Sequence, residues 1–300
     1  MTFILRNGES QLELNSITHW YRITGAEHMT TPLLIIHGGP GGNVYNFERT
    51  IGLKLETFAT IIYYEQRGCG RSMPPQDPNA YSIPLLVSDL EMLRRKLGLE
   101  KIIPLGFSFG GELALEYTLA HPQHVEKLIV QAPTMGIKSE RLACVQLYGF
   151  RKVARGAVAC KIREIINGSG SLQKRLKKVW ESVDTETVDR FLFHNSEVAR
   201  LNRRLWQESG LVNTGQMHKV LVNQPAGISL WDRVHTIQVP TLVIAGLYDR
   251  NVGVESCRDI AGLIPNARLA LFEHSAHFPD MEESEKYAQV VYDFLFNKYA

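Results

Sequence analysis

The chain has 300 residues, 44% hydrophobic and 21% charged, with 33 Lys/Arg against 31 Asp/Glu. This composition describes an ordinary globular protein that can bury a full core, and it excludes a disordered or strongly polyionic chain. No apolar run approaches the roughly 20 residues that cross a bilayer, and residues 1–11 lack the basic-then-apolar pattern of a secretory signal. Cys69, Cys144, Cys160 and Cys257 are scattered and form no C-x-x-C pair, so reduced thiols, a cytoplasmic protein and no metal site are expected. Basic and aromatic residues do not interleave as in nucleic-acid-binding modules, so neither nucleic acid nor membrane is expected as a partner.

Strand and helix signals alternate through the first 133 residues. Residues 32–37 (PLLIIH) are a short apolar run ending in glycines, as a buried parallel strand is, and 60–65 (TIIYYE) is a second. Residues 83–97 carry apolar side chains at helical spacing and stop at Gly98. A third strand is expected at 101–107 (KIIPLGF), a helix at 109–120 ended by His121-Pro122, and a fourth strand at 125–131 (VEKLIVQ). Such alternation predicts a mainly parallel sheet with helices on both faces.

Residues 134–238 then contain no comparable β run but have helical stretches at 172–180 and 188–207. The alternation resumes with strand 239–246 (VPTLVIAG), helix 254–263, strand 268–272 and a closing helix at 282–299. The expected organisation is one α/β core, 1–133 and 239–300, with a helical cap, 134–238, inserted into it. Charge is uneven between the two. The cap carries 17 Lys/Arg against 9 Asp/Glu, and the rest of the chain 16 against 22. A basic segment of this kind is either a solvated helical surface or a means of steering anionic ligands.

Gly106-Phe107-Ser108-Phe109-Gly110 matches G-x-S-x-G between an apolar strand and the start of a helix. That context is the one a strained nucleophile elbow requires, with glycines letting the backbones crowd and the turn lifting the Ser108 hydroxyl out of the sheet. His37-Gly38-Gly39-Pro40-Gly41-Gly42 follows the first parallel strand. A glycine-rich loop there can aim a backbone N–H at a substrate carbonyl. Gly39 is the candidate donor, with the N–H of Phe109 as the second half of an oxyanion hole.

These motifs resemble the proline iminopeptidase family of α/β-hydrolases. The HGGPG loop is present at 37–41, and the family's D-Q-R-G-x-G-x-S appears as Glu65-Gln66-Arg67-Gly68-Cys69-Gly70-Arg71-Ser72, with Glu in place of Asp. The elbow continues into Gly110-Gly111 and an Ala/Leu-rich helix. The resemblance covers the core and implies the α/β-hydrolase fold, a serine hydrolase mechanism and no cofactor. It also implies that His37 and Arg67 support the oxyanion loop.

The acid and base follow in the chain order Ser, Asp, His of this fold. Asp249, just past the strand at 239–246, is the candidate acid; Asp232 precedes that strand and Asp259 lies within a helix. His277, followed by Phe278-Pro279, fits the family's G-H-x-P better than His274, with Ala276 where Gly is common. Iminopeptidases must bind a free α-ammonium, which characterised relatives do with acidic residues, in some a Glu just after the triad Asp. Here that residue is Arg250, a candidate substrate-binding residue that would repel an ammonium, and 223–227, where some relatives have N-G-P-N-E, reads NQPAG. Glu197 and Glu208 of the cap are the remaining candidate anchors. The expected function is therefore an esterase or amidase acting on a small molecule or short peptide. An iminopeptidase-like aminopeptidase, a carbon–carbon bond hydrolase and a ligand receptor on the same scaffold stand as alternatives.

Overall fold

The computed structural model describes residues 5–225 and 227–296. Ala226 of the 223–227 stretch, and the end of the expected closing helix at 297–299, lie outside the described residues.

One sheet of eight strands runs through the molecule: β1 Gly8–Leu14, β2 Ile17–Thr24, β3 Leu33–Ile36, β4 Ile61–Tyr64, β5 Ile103–Phe107, β6 Leu128–Gln131, β7 Thr241–Gly246 and β8 Ala267–Phe272. Their order is β1-β2-β4-β3-β5-β6-β7-β8. The β1–β2 and β2–β4 pairs are antiparallel and all others parallel. The six parallel strands are those the alternation predicts. The antiparallel hairpin β1–β2 has no counterpart among the predicted elements. Its two-residue turn, Asn15-Ser16, has φ of 46° and 63°, the handedness that matches the twist of the flanking strands.

Both faces of the sheet are covered, which is why its strands read as unbroken apolar runs. Leu33, Ile35, Ile61 and Tyr63 pack on one side with Phe47 and Phe294. Leu34, Ile36, Ile62 and Tyr64 pack on the other with Leu86, Leu90 and Leu113. Helix Ile83–Lys96 begins where the Ser82 hydroxyl accepts from Leu85 N at 3.2 Å, with Pro84 in its first turn.

Among the described residues, six α-helices lie between β6 and β7: Glu140–Val153, Gly156–Asn167, Leu172–Trp180, Thr185–Leu192, Ser196–Ser209 and Gln216–Asn223. Several share a separate core of Leu147, Phe150, Val153, Ile162, Val179 and Phe191. There the Phe150 and Phe191 rings stack at 3.9 Å and Trp180 meets both edge-on. The helix expected at 188–207 is two helices. The chain is extended at Phe193, whose ring stacks on Phe278 at 4.8 Å, and Asn195 caps the second helix by accepting from Glu197 N. Among the described residues no helix is long and apolar enough to cross a membrane.

Candidate active site

Strand β5 ends at Phe107 and helix Phe109–Ala120 begins two residues later, so Ser108 makes the whole turn. It does so at φ 55° and ψ −120°, a conformation that a residue with a Cβ rarely adopts and that must be held by its surroundings. Ser108 N donates to Gln131 O at 2.9 Å, and Ser108 O accepts from Gly111 N at 3.0 Å and Thr134 N at 3.1 Å. The turn is tight enough that a Cβ on Gly106 would strike the Gly110 carbonyl, and one on Gly110 would strike the Ile36 carbonyl. Phe109 N stands at the start of the helix, where backbone N–H groups have no partner within the helix.

The glycine loop after β3 is braced from the neighbouring strand. Ile36 is in register with Tyr64 in the parallel β3–β4 pair, so His37 leaves the carboxyl end of the sheet beside Glu65-Gln66. Gln66 N donates to His37 Nε2 at 3.1 Å, and Gln66 Nε2 donates to His37 O at 2.8 Å. Since Nε2 accepts, the ring proton is on Nδ1, which donates to Gly38 O at 2.9 Å. Burial lowers the His37 pKa and keeps the ring neutral. Buried Glu65 anchors Arg71, accepting at 2.8 Å and 3.1 Å from its guanidinium.

Arg67 departs from the role the resemblance implies. It is buried, but its two-pronged bond goes to Asp89 at 2.7 Å and 2.7 Å, and a third to Ala80 O at 3.1 Å. Its longer side chain reaches helix Ile83–Lys96, while the shorter Gln66 reaches the loop.

Asp249 lies three residues beyond β7. Its Oδ1 accepts from Asn251 N at 2.8 Å and Val252 N at 3.1 Å, and its Oδ2 lies 3.0 Å from His277 Nδ1. Burial alone would raise the Asp249 pKa. The attraction and hydrogen bond of His277, with the two backbone donors, outweigh it and hold the carboxyl below its ordinary range. His277 N donates to Leu192 O at 3.0 Å, so the break between helices Thr185–Leu192 and Ser196–Ser209 receives the histidine loop. Glu282 fastens both sides, accepting from Ala276 N at 2.6 Å and from His194 N and Asn195 N at 2.7 Å each. His274 is exposed, Asp259 pairs with Arg141 at the surface, and Asp232 ends a short helical turn before β7.

Ser108, Gly39 and His277 line one cavity of about 900 Å³, within the size range of small-molecule sites. Its other wall comes from the helical segment, including Leu142, Gln146, Trp180, Trp206 and Val222. Three lysines, Lys138, Lys174 and Lys177, and two acids, Glu181 and Asp280, also line it. Burial pushes the Asp280 carboxyl up to about 6, although Gln131 Nε2 donates to it at 2.6 Å.

The remaining candidates do not line this cavity. The Arg250 guanidinium donates to Arg190 O at 3.2 Å, near the carboxyl end of helix Thr185–Leu192, because successive side chains diverge and Asn251 takes the inward position. Glu197 is exposed and pairs with Arg200 at 2.8 Å, and Glu208 is exposed. Sequence reasoning missed Asp280, Gln146 and Asn251. Asp280 sits three residues after His277, and Asn251 two after Asp249, a proximity that could have drawn notice.

Fold and geometry together place the chain in a known class. The sequence model of the α/β hydrolase fold family matches residues 31–284, and the chain belongs to that family of hydrolases. It is 27% identical to a proline iminopeptidase of Saccharolobus solfataricus over 97% of this chain and 93% of the relative. The proline iminopeptidase-related protein of Thermus thermophilus superposes with a TM-score of 0.79 at 21% identity, covering 97% of this chain and 98% of that one. An esterase of Exiguobacterium antarcticum gives 0.69 at 20% identity, covering 95% and 98%. These two structures share the fold.

Proposed function

We propose that this hydrolase cleaves an ester or amide bond of a small substrate through an acyl-enzyme on Ser108. The observation that carries the reading is that Ser108 and His277 face one cavity, while His277 is backed by the buried carboxylate of Asp249. His277 Nε2 takes the Ser108 proton as Oγ attacks the carbonyl carbon. The N–H groups of Gly39 and Phe109 hold the oxyanion, which is typically worth ~3–4 kcal/mol per donor. The leaving group departs with the His277 proton, and a water activated by the same nitrogen hydrolyses the acyl-enzyme. Residues 134–238 act as a cap that limits water at the acyl-enzyme.

A second reading, an aminopeptidase releasing an N-terminal residue, draws on the iminopeptidase relatives and on Asp280, a carboxylate in the cavity wall that could pair with an ammonium. A panel of p-nitrophenyl esters beside prolyl and alanyl arylamides, each arylamide also N-acetylated, separates the two. Preference for esters and N-blocked amides supports the first reading. Strong preference for free amines, lost in Asp280→Asn, supports the second. Turnover of none of these compounds would defeat both.

A further inference from the structure

The acceptor nitrogen of His277 already has a partner in the structure. Asn251 Nδ2 lies 3.0 Å from His277 Nε2. Asn251 Oδ1 accepts from Gln146 Nε2 at 2.7 Å, and Gln146 Oε1 accepts from Trp180 Nε1 at 3.1 Å. All four side chains belong to the cavity wall. The polarity of this chain is fixed at both ends. An indole N–H can only donate, and the ionised Asp249 carboxylate can only accept. Between them each amide must accept on the Trp180 side and donate on the His277 side. Rotating Asn251 would set its oxygen against the His277 lone pair and its amine against the Gln146 amine. Rotating Gln146 as well would leave the Trp180 N–H facing another donor.

The Asn251 amine therefore occupies the space beside Nε2 that a leaving atom must enter, and it can offer only a donor there. This inference rests on the serine-hydrolase reading. When the tetrahedral intermediate collapses, an oxyanion pair re-forms the carbonyl, the C–Oγ bond to Ser108 stays, and the pair of the breaking bond moves onto the leaving atom, which takes the Nε2 proton. An ester oxygen has two lone pairs, one for that proton and one for the Asn251 amine. An amide nitrogen in the intermediate has a single lone pair, which the proton takes before the C–N bond breaks, so that in this transition state only its N–H faces the donor. We infer that Asn251, aligned by Gln146 and Trp180, is a leaving-group specificity residue that favours substrates expelling an oxygen over those expelling an amine.

The test pairs a p-nitrophenyl ester with the p-nitroanilide of the same acyl group and reads the ratio of their kcat/KM values. Loss of one hydrogen bond made in the transition state corresponds to about tenfold. Asn251→Leu should lower the ester-to-anilide ratio by about that factor. Asn251→Asp, which can accept from the amine but not donate, should lower it further. Gln146→Leu, which frees the Asn251 amide to rotate and lies far from the histidine loop in sequence, should lower it less. An unchanged ratio in all three variants, or an equal loss for both leaving groups, would overturn the inference. Fluorophosphonate labelling of Ser108 is followed in parallel. Labelling retained with an unchanged ratio defeats the role of Asn251 alone, whereas no labelling of the wild type defeats the underlying serine mechanism.

Discussion

His277 Nδ1 lies 3.0 Å from Asp249 Oδ2, and both side chains are buried. The other Asp249 oxygen is held by two backbone N–H groups of its own loop, so the carboxylate is fixed in direction as well as charge. Asp249→Asn keeps the shape but can present an amine where an acceptor is needed, which puts the proton on the wrong imidazole nitrogen. Ester turnover should fall ~10⁴-fold with KM little changed. Steady-state kinetics on a folded variant checks this, and a loss of only a few-fold would remove Asp249 from the mechanism.

His277→Ala and His274→Ala should separate cleanly. His277 is buried against Asp249 and lines the cavity, while His274 is exposed and contributes a backbone N–H to Glu283 at 2.9 Å. Truncating His274 leaves that bond intact and costs little, as exposed substitutions usually do. Parallel assays of both variants decide the point, and the reverse ranking would move the base to His274.

Strand–helix alternation was legible because a sheet covered on both faces needs continuous apolar runs. The same property hid the strand ends. At 125–131 buried Val125, ahead of Glu126-Lys127, reads as part of the run, yet the strand is Leu128–Gln131 and Val125 makes only an isolated bridge to Ile102. The hairpin β1–β2 escaped notice because its outer strand is mostly exposed and polar, although Asn15-Ser16 is a turn pair. Local chemistry marked the serine turn, the glycine loop and the two residues after β7 and β8. Asp280, Gln146 and Asn251 were not legible as a group, since only the folded chain brings positions from three segments to one wall.

Gln66→Leu should weaken the loop proposed to hold the oxyanion, without emptying the cavity. The variant loses the side-chain bond to His37 O but keeps the backbone bond to His37 Nε2. A buried carbonyl deprived of its donor costs about 1–3 kcal/mol. The expected result is a lower melting temperature and a kcat reduced about tenfold with KM nearly constant, because the oxyanion contact is made in the transition state. A change confined to KM would contradict this role.

Asp280 predicts a pH-dependent stability. Its carboxyl is pushed up to about 6 by burial, from an ordinary 3.8. Between those values the folded protein holds a proton that the unfolded chain has released, so this group makes stability fall as pH rises through the window. The full effect is on the order of 3 kcal/mol. Asp280→Asn keeps an oxygen for Gln131 and removes the ionisation. Melting curves from pH 4 to 8 should show the variant gaining on the wild type as pH rises. A constant difference would mean that Asp280 ionises normally.

The central claim is that Ser108 is the nucleophile of an acyl-enzyme. The direct measurement is fluorophosphonate labelling of the wild type and Ser108→Ala, with the modified peptide located by mass spectrometry. Ser108 is held at φ 55° by a turn built on backbone bonds and glycine contacts, so removing its Oγ leaves those supports in place. The account predicts one adduct on Ser108 in the wild type, and a folded Ser108→Ala protein with no adduct and no ester turnover above the residual level of ~10³-fold over water. An adduct on another residue, or undiminished turnover by Ser108→Ala, would contradict it.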